Sequence, residues 1–246
     1  MKRLIITILL VTSGLWAKDY ALIVGISNYK NVGRLYYIES DIATYQKILK
    51  SRGVKKVKIL RDNQATRANI KNYLAYIVQD MKRFNNNRFF MFFAGHGIST
   101  KSIRYNSQID ENFLSNSGVI LPYEYNDKNL ANTIIIGKRD LRPYLIEIDK
   151  RINESLIIFD ACYSGNSIRG KKLTSTPFIY SNPRDFPYKN IVYIASATSR
   201  SKAKSGVLSK VLNECLAEQN NLNRLRVCMN NKLMYVGQRA VIVSKR

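Results

Sequence analysis

The sequence predicts an α/β fold, a three-layer sandwich in which a mostly parallel sheet of about six strands is flanked by helices. Three observations point there. Short, continuously apolar runs alternate with segments whose apolar residues recur at helical spacing, the order of parallel strands joined by crossover helices. The apolar runs show no polar alternation, as expected of strands covered on both faces. No internal repeat or low-complexity linker interrupts the 246 residues, so residues 18–246 read as one domain.

The elements follow in order. Tyr20 to Ile26 is a first buried strand, and Ser27 to Arg34 a polar turn region. Ile38, Ile42, Tyr45, Ile48 and Leu49 mark a helix that stops at Gly53. Val57 to Leu60 is a second strand. Asp62 to Thr66 supplies turn and capping chemistry for a helix carrying Ile70, Leu74, Ile77, Val78 and Met81. Arg88 to Phe93 is a third strand, ending in Ala94-Gly95-His96-Gly97. A polar loop, 98–117, leads to a short strand from Gly118 to Leu121, and a helix with Leu141, Leu145 and Ile148 returns the chain to a strand at Leu156 to Phe159. A long irregular segment, Asn166 to Asn190, precedes a strand at Ile191 to Ala195. A helix with Leu208, Val211, Leu212, Cys215 and Leu216, a polar stretch and a terminal strand around Ala240 to Val243 complete the chain.

Residues 1–17 have the layout of a secretory signal peptide: basic Lys2 and Arg3, an apolar core from Leu4 to Val11, and a small residue, Ala17, before Lys18. The core is short for a membrane span, although an uncleaved anchor is the competing reading. The mature chain is therefore expected to be exported, periplasmic or secreted, with no later transmembrane segment. Lys and Arg number 40 against 17 Asp and Glu, a net charge of +23. Such an excess attracts anionic surfaces, but no block of like charge concentrates it, as a nucleic-acid site would require.

Three cysteines are an odd number for an exported chain, so at least one stays unpaired. Cys215 and Cys228 can form a disulfide or remain two buried thiols. Cys162 differs: it stands just past an apolar strand in Ile158-Phe-Asp-Ala-Cys-Tyr-Ser-Gly165, where parallel sheets present ligands. His96, the sole histidine, lies in the same strand-then-glycine context. A thiol with pKa ~8.5 is mostly protonated at neutral pH, and an adjacent imidazole can take its proton. The pair is a candidate Cys-His dyad. One histidine and dispersed cysteines offer no metal-ligand spacing, so no metal is expected.

These stretches resemble the caspase and metacaspase cysteine peptidases of the caspase–haemoglobinase fold. The matches are Tyr20-Ala-Leu-Ile-Val-Gly-Ile26, Phe92-Phe-Ala-Gly-His-Gly97, Val119-Ile-Leu-Pro-Tyr-Glu124 and Ile158 to Gly165, in the family's order across roughly Tyr20 to Ala197. The resemblance implies an exported cysteine endopeptidase with Cys162 as nucleophile, His96 as general acid/base and the backbone amides of Gly97 and Cys162 as oxyanion hole. It places Asp160 in the S1 pocket, and Asp41 beside it as a second acid, so Arg or Lys is expected at P1. Asp41 can alternatively serve only as a helix cap. The turn after Cys162 runs Asn166-Ser-Ile-Arg169, without the acid some metacaspases place there, which argues against calcium dependence; no cofactor is expected. Lys204-Ser-Gly-Val-Leu208 likewise departs from the family's acidic, Gly-aromatic-Thr pattern. Arg169, Lys171, Lys172 and Arg184 lie where caspases carry a processed linker, and are candidate autocleavage sites. The competing functions are a caspase-like binding or scaffold protein that does not cut, and a cationic binder of anionic surfaces.

Overall fold

The computed structural model describes residues 17–98, 103, 109–114, 118–163, 187–196, 206–218, 222–238 and 240–244. The expected leader and the four candidate autocleavage residues lie outside them, as do Asn166 to Arg169.

Strands β1 (Asp19–Gly25), β2 (Lys58–Arg61), β3 (Asn87–Ile98), β4 (Val119–Ile120), β5 (Ile135–Ile136), β6 (Ile152–Tyr163), β7 (Val192–Ser196) and β8 (Ala240–Val243) form one sheet. Its main path is β2-β1-β3-β6-β7-β8. Neighbours from β2 to β7 are parallel and β8 is antiparallel; β4 pairs antiparallel with β3 and with β5. The expected mostly parallel, six-stranded path is present, with a two-rung hairpin added beside β3. That hairpin's second strand comes from Ile134-Ile-Ile136, a run too short to announce a strand by periodicity.

Alternation along the strands divides the core. Leu22, Val24, Phe89, Met91, Phe93, Ile157 and Phe159 pack with Ile70, Leu74 and Ile77 of α2 (Arg67–Asp80). Leu145 and Ile148 join them beyond two one-turn helices, α3 (Glu111–Leu114) and α4 (Leu130–Thr133), from α5 (Arg142–Asp149). Ala21, Ile23, Phe90, Phe92, Leu156 and Ile158 face Ile42, Tyr45 and Leu49 of α1 (Ile38–Ser51) and Leu208 and Leu212 of α6 (Val207–Glu218). The central strands β1, β3 and β6 are apolar on both faces because helices cover both.

Two expectations change. The polar stretch after the Cys215 helix is itself a helix, α7 (Leu222–Met234), buried along Leu225, Met229 and Leu233. Its stripe is one residue wide, and the intervening asparagines and arginines hide it. Cys215 and Cys228 are disulfide-bonded, pinning α6 to α7, which leaves Cys162 as the cysteine outside the bridge. The end of the long 166–190 segment is fastened: Asp149 accepts the amides of Lys189 (2.8 Å) and Asn190 (2.7 Å), and Tyr188 is buried.

Candidate active site

The carboxyl ends of β1, β3, β6 and β7 bring the sequence candidates to one edge. β3 and β6 are the longest strands, and they stay paired well past their apolar runs. His96 is therefore the direct ladder partner of Cys162, and Gly97 of Tyr163. This corrects the expectation that both residues sit in turns following their strands: ladder pairing carries the backbone through Ala94-Gly-His-Gly97 and Asp160-Ala-Cys-Tyr163. Gly97 is also paired with Ile120 of the hairpin. The backbones of the two candidate residues are thus brought side by side by sheet register.

His96 has two further partners that sequence reasoning did not assign. Its Nε2 lies 2.9 Å from the Gly33 carbonyl. A carbonyl only accepts, so the proton belongs on Nε2 and Nδ1 is left as the basic nitrogen. Its backbone N–H donates to the Tyr29 phenol oxygen at 2.6 Å, and the two rings lie 4.9 Å apart and tilted. Gly95 is required here: a Cβ would stand 2.5 Å from the Tyr29 oxygen and 2.8 Å from the Phe93 ring. Tyr29 sits in a stretch read only as polar turn, and its aromatic side chain was the available signal.

Asp160 and Asp41 converge from different elements. Asp160 lies within β6 on the rung of Ala94, is 8% exposed, and accepts the Ser196 hydroxyl of β7 at 2.6 Å through Oδ1. Its Oδ2 is buried with no hydrogen-bond partner among the described residues. Asp41 lies in the first turn of α1, is 1% exposed, and accepts the Ser209 hydroxyl of α6 at 2.6 Å. The helix-cap reading of Asp41 fails, because Tyr37 occupies the cap and no side chain bonds there. Gly25 lets α1 come this close: a Cβ would meet the Ile42 side chain at 2.5 Å.

Both carboxyls are shifted upward, and the Asp41 charge bears on Asp160. Burial, with the Asp41 charge adding to it, pushes Asp160 up to about 7, opposed by the Ser196 hydrogen bond. Burial pushes Asp41 up to about 6 against the Ser209 bond. Tyr45, one turn after Asp41 on α1, is fully buried and stacked on Phe92. Its hydroxyl has no hydrogen-bond partner, and its ionisation is suppressed by burial first and then by the charges of Asp160 and Asp41. An unsatisfied buried polar group costs roughly 1–3 kcal/mol. Asp160 Oδ2 and the Tyr45 hydroxyl are two such groups, and each would be completed by a hydrogen-bond donor. Ser196, Ser209 and Tyr45 were all missed by motif reading, since each is contributed singly by a different element.

Comparison with known proteins agrees with this architecture. A family model described as the caspase domain matches residues 18–239. A solved structure from Geobacter sulfurreducens is similar over 93% of this chain and 94% of its own, at TM-score 0.60 and 17% identity. The structure of pro-sf-caspase-1 is similar over 93% of this chain and 87% of its own, at TM-score 0.57 and 12% identity. These identities speak for the fold alone. No curated protein matches the sequence.

Proposed function

The chain belongs to the caspase-domain family of cysteine peptidases, and on that premise we propose that it is an exported endopeptidase that hydrolyses peptide bonds after Arg or Lys. The observation that carries the reading is the rung His96–Cys162, with two buried acids beside it at Asp160 and Asp41.

In the proposed reaction Nδ1 of His96 takes the thiol proton, and the Cys162 sulfur adds to the carbonyl carbon after P1. The amides of Gly97 and Cys162 receive the developing oxyanion. The imidazolium returns its proton to the leaving amine, giving a thioester. Water, deprotonated by the same nitrogen, then releases the carboxylic acid and the thiol. Gly33 holds the ring in the tautomer that this needs. Every group comes from the chain, so no metal or cofactor enters. The P1 cation would sit against Asp160 and Asp41, satisfying Asp160 Oδ2 and the Tyr45 oxygen through charge-assisted hydrogen bonds.

Export is supported by the leader-like residues 1–17 and by the Cys215–Cys228 bridge, which suits an oxidising compartment. No helix of the described residues is long and apolar enough to cross a membrane. The test is a panel of peptides with Arg, Lys or Asp at P1, incubated under reducing conditions with wild type, Cys162→Ala and His96→Ala. Arg and Lys cleavage lost in both variants is expected. A folded, reduced wild type that binds these peptides without cutting them would leave a peptide-binding protein instead.

A further inference from the structure

The contacts that orient His96 come from a strap, Ser27 to Leu35, and the strap is itself tied down from outside the site. Its neck is closed by two bonds, Leu35 N–H to the Ser27 carbonyl (2.9 Å) and the Ser27 hydroxyl to the Leu35 carbonyl (2.7 Å). Its outer side meets the loop after β4: the Lys30 amide donates to Tyr123 O (3.1 Å) and the Asn31 side chain to Tyr125 O (2.7 Å). The third tie is charged. Asp62 Oδ1 accepts the backbone amides of Ser27 (2.7 Å) and Asn28 (2.9 Å), and Oδ2 accepts the Asn28 side-chain amide at 3.2 Å.

Asp62 reaches the strap because β1 and β2 end on the same rung, Gly25 with Arg61. The residue after each then stands side by side. Asp62 also adopts φ +40°, a left-handed conformation that a non-glycine residue holds only at a cost. Three hydrogen bonds to one carboxylate, two from consecutive backbone amides, supply what offsets it.

We infer that Asp62 is a positioning residue: by anchoring the strap it sets the Gly33 carbonyl and the Tyr29 phenol on His96 and so fixes which imidazole nitrogen is basic. The inference rests on the proposed peptidase reading for its catalytic consequence, but not for its structural one. A strap released at Ser27 and Asn28 lets the Gly33 carbonyl drift from Nε2, and the ring then exchanges between tautomers. Only one tautomer presents a lone pair to the thiol, and small misplacements of catalytic groups cost up to about 10²-fold in rate.

Because His96 is the sole histidine, imidazole nitrogen NMR of the full chain reports on it alone. At pH 8 wild type should show one protonated and one unprotonated ring nitrogen, assigned to Nε2 and Nδ1. Asp62→Ala should move both toward averaged shifts and lower kcat on an Arg peptide by about 10²-fold at little-changed KM. Asp62→Asn keeps an acceptor for the two backbone amides and should restore most of both properties. A wild-type imidazole spectrum in folded Asp62→Ala, with only thermal stability reduced, overturns the proposal. Should Asp62→Ala not fold, Asn28→Ala removes the Oδ2 contact alone, and partial averaging supports the proposal where an unchanged spectrum sinks it. If wild type cuts no peptide while the imidazole still responds to Asp62, the peptidase reading fails and the positioning role stands.

Discussion

His96 and Asp160 lie two rungs apart on neighbouring strands, yet the protein secures them by different means. His96 is held before any ligand arrives: its amide, its Nε2 and its ring face all have partners in Tyr29 and Gly33, and its backbone is laddered to Cys162. Asp160 is held by one hydroxyl, with its other oxygen buried and unpartnered and a second acid, Asp41, nearby. On the proposed reading, the difference follows from what each would do. A base needs a fixed direction, so its hydrogen bonds are satisfied by the fold; a pocket that selects charge gains more by leaving its own charge uncompensated until the substrate compensates it.

Breaking the held side should have the largest effect. Cys162→Ala or His96→Ala is expected to lower kcat by about 10⁴-fold or more, measured on an Arg-P1 peptide. On the open side, Asp160→Asn should cost about 10²-fold in kcat/KM for basic P1 substrates while cleavage of an uncharged P1 peptide changes little. Each carboxylate bond to a cation contributes a few kcal/mol in a buried site. Asp41→Asn should do the same to a smaller degree, because Asp160 is the deeper-shifted partner.

The acids also make the comparison visible in pH. Both ionise higher in the fold than in the unfolded chain, near 6 and 7. KM for Arg peptides should therefore fall as pH rises through 6 to 7. Their effect on stability has the opposite sense. From about pH 4 upward the unfolded chain releases protons that the fold retains, so stabilisation present at low pH is lost as pH rises through 7. Thermal melts at pH 5 and pH 8 should show Asp160→Asn stabilised relative to wild type at pH 8 only. The smallest expected effect is Tyr45→Phe: stability raised by about 1 kcal/mol, since a buried hydroxyl without a partner among the described residues is removed, and a roughly threefold rise in KM for Arg peptides.

Legibility in the sequence followed the same division. The parallel core was readable because continuous apolar runs such as Phe89 to Phe93 can be covered only by helices on both faces. His96 and Cys162 could be singled out from residue type and strand-end context, although their placement in turns was wrong: register, which extends β3 and β6 through both motifs, is a property of two strands and is not written in either. Asp160 and Asp41 were named through the family resemblance, and their burial and coupling came only with the fold. The groups that finish the site, Tyr29 and Gly33 of the strap, Tyr45, Ser196 and Ser209, come from four separate stretches with no common motif. Helix α7 escaped for a different reason, its three buried residues being spaced too thinly among asparagine and arginine to raise a periodic signal.

The claim that the pocket's charge is incomplete until a cation enters can be measured without turnover. Isothermal titration of Cys162→Ala with an Arg-P1 peptide near pH 6.5, repeated in buffers of different ionisation enthalpy, counts the protons exchanged on binding. Release approaching one proton is expected, absent with a citrulline-P1 peptide and diminished in an additional Asp160→Asn background. Arg-peptide binding of equal strength in both backgrounds, with no proton released, would contradict the account.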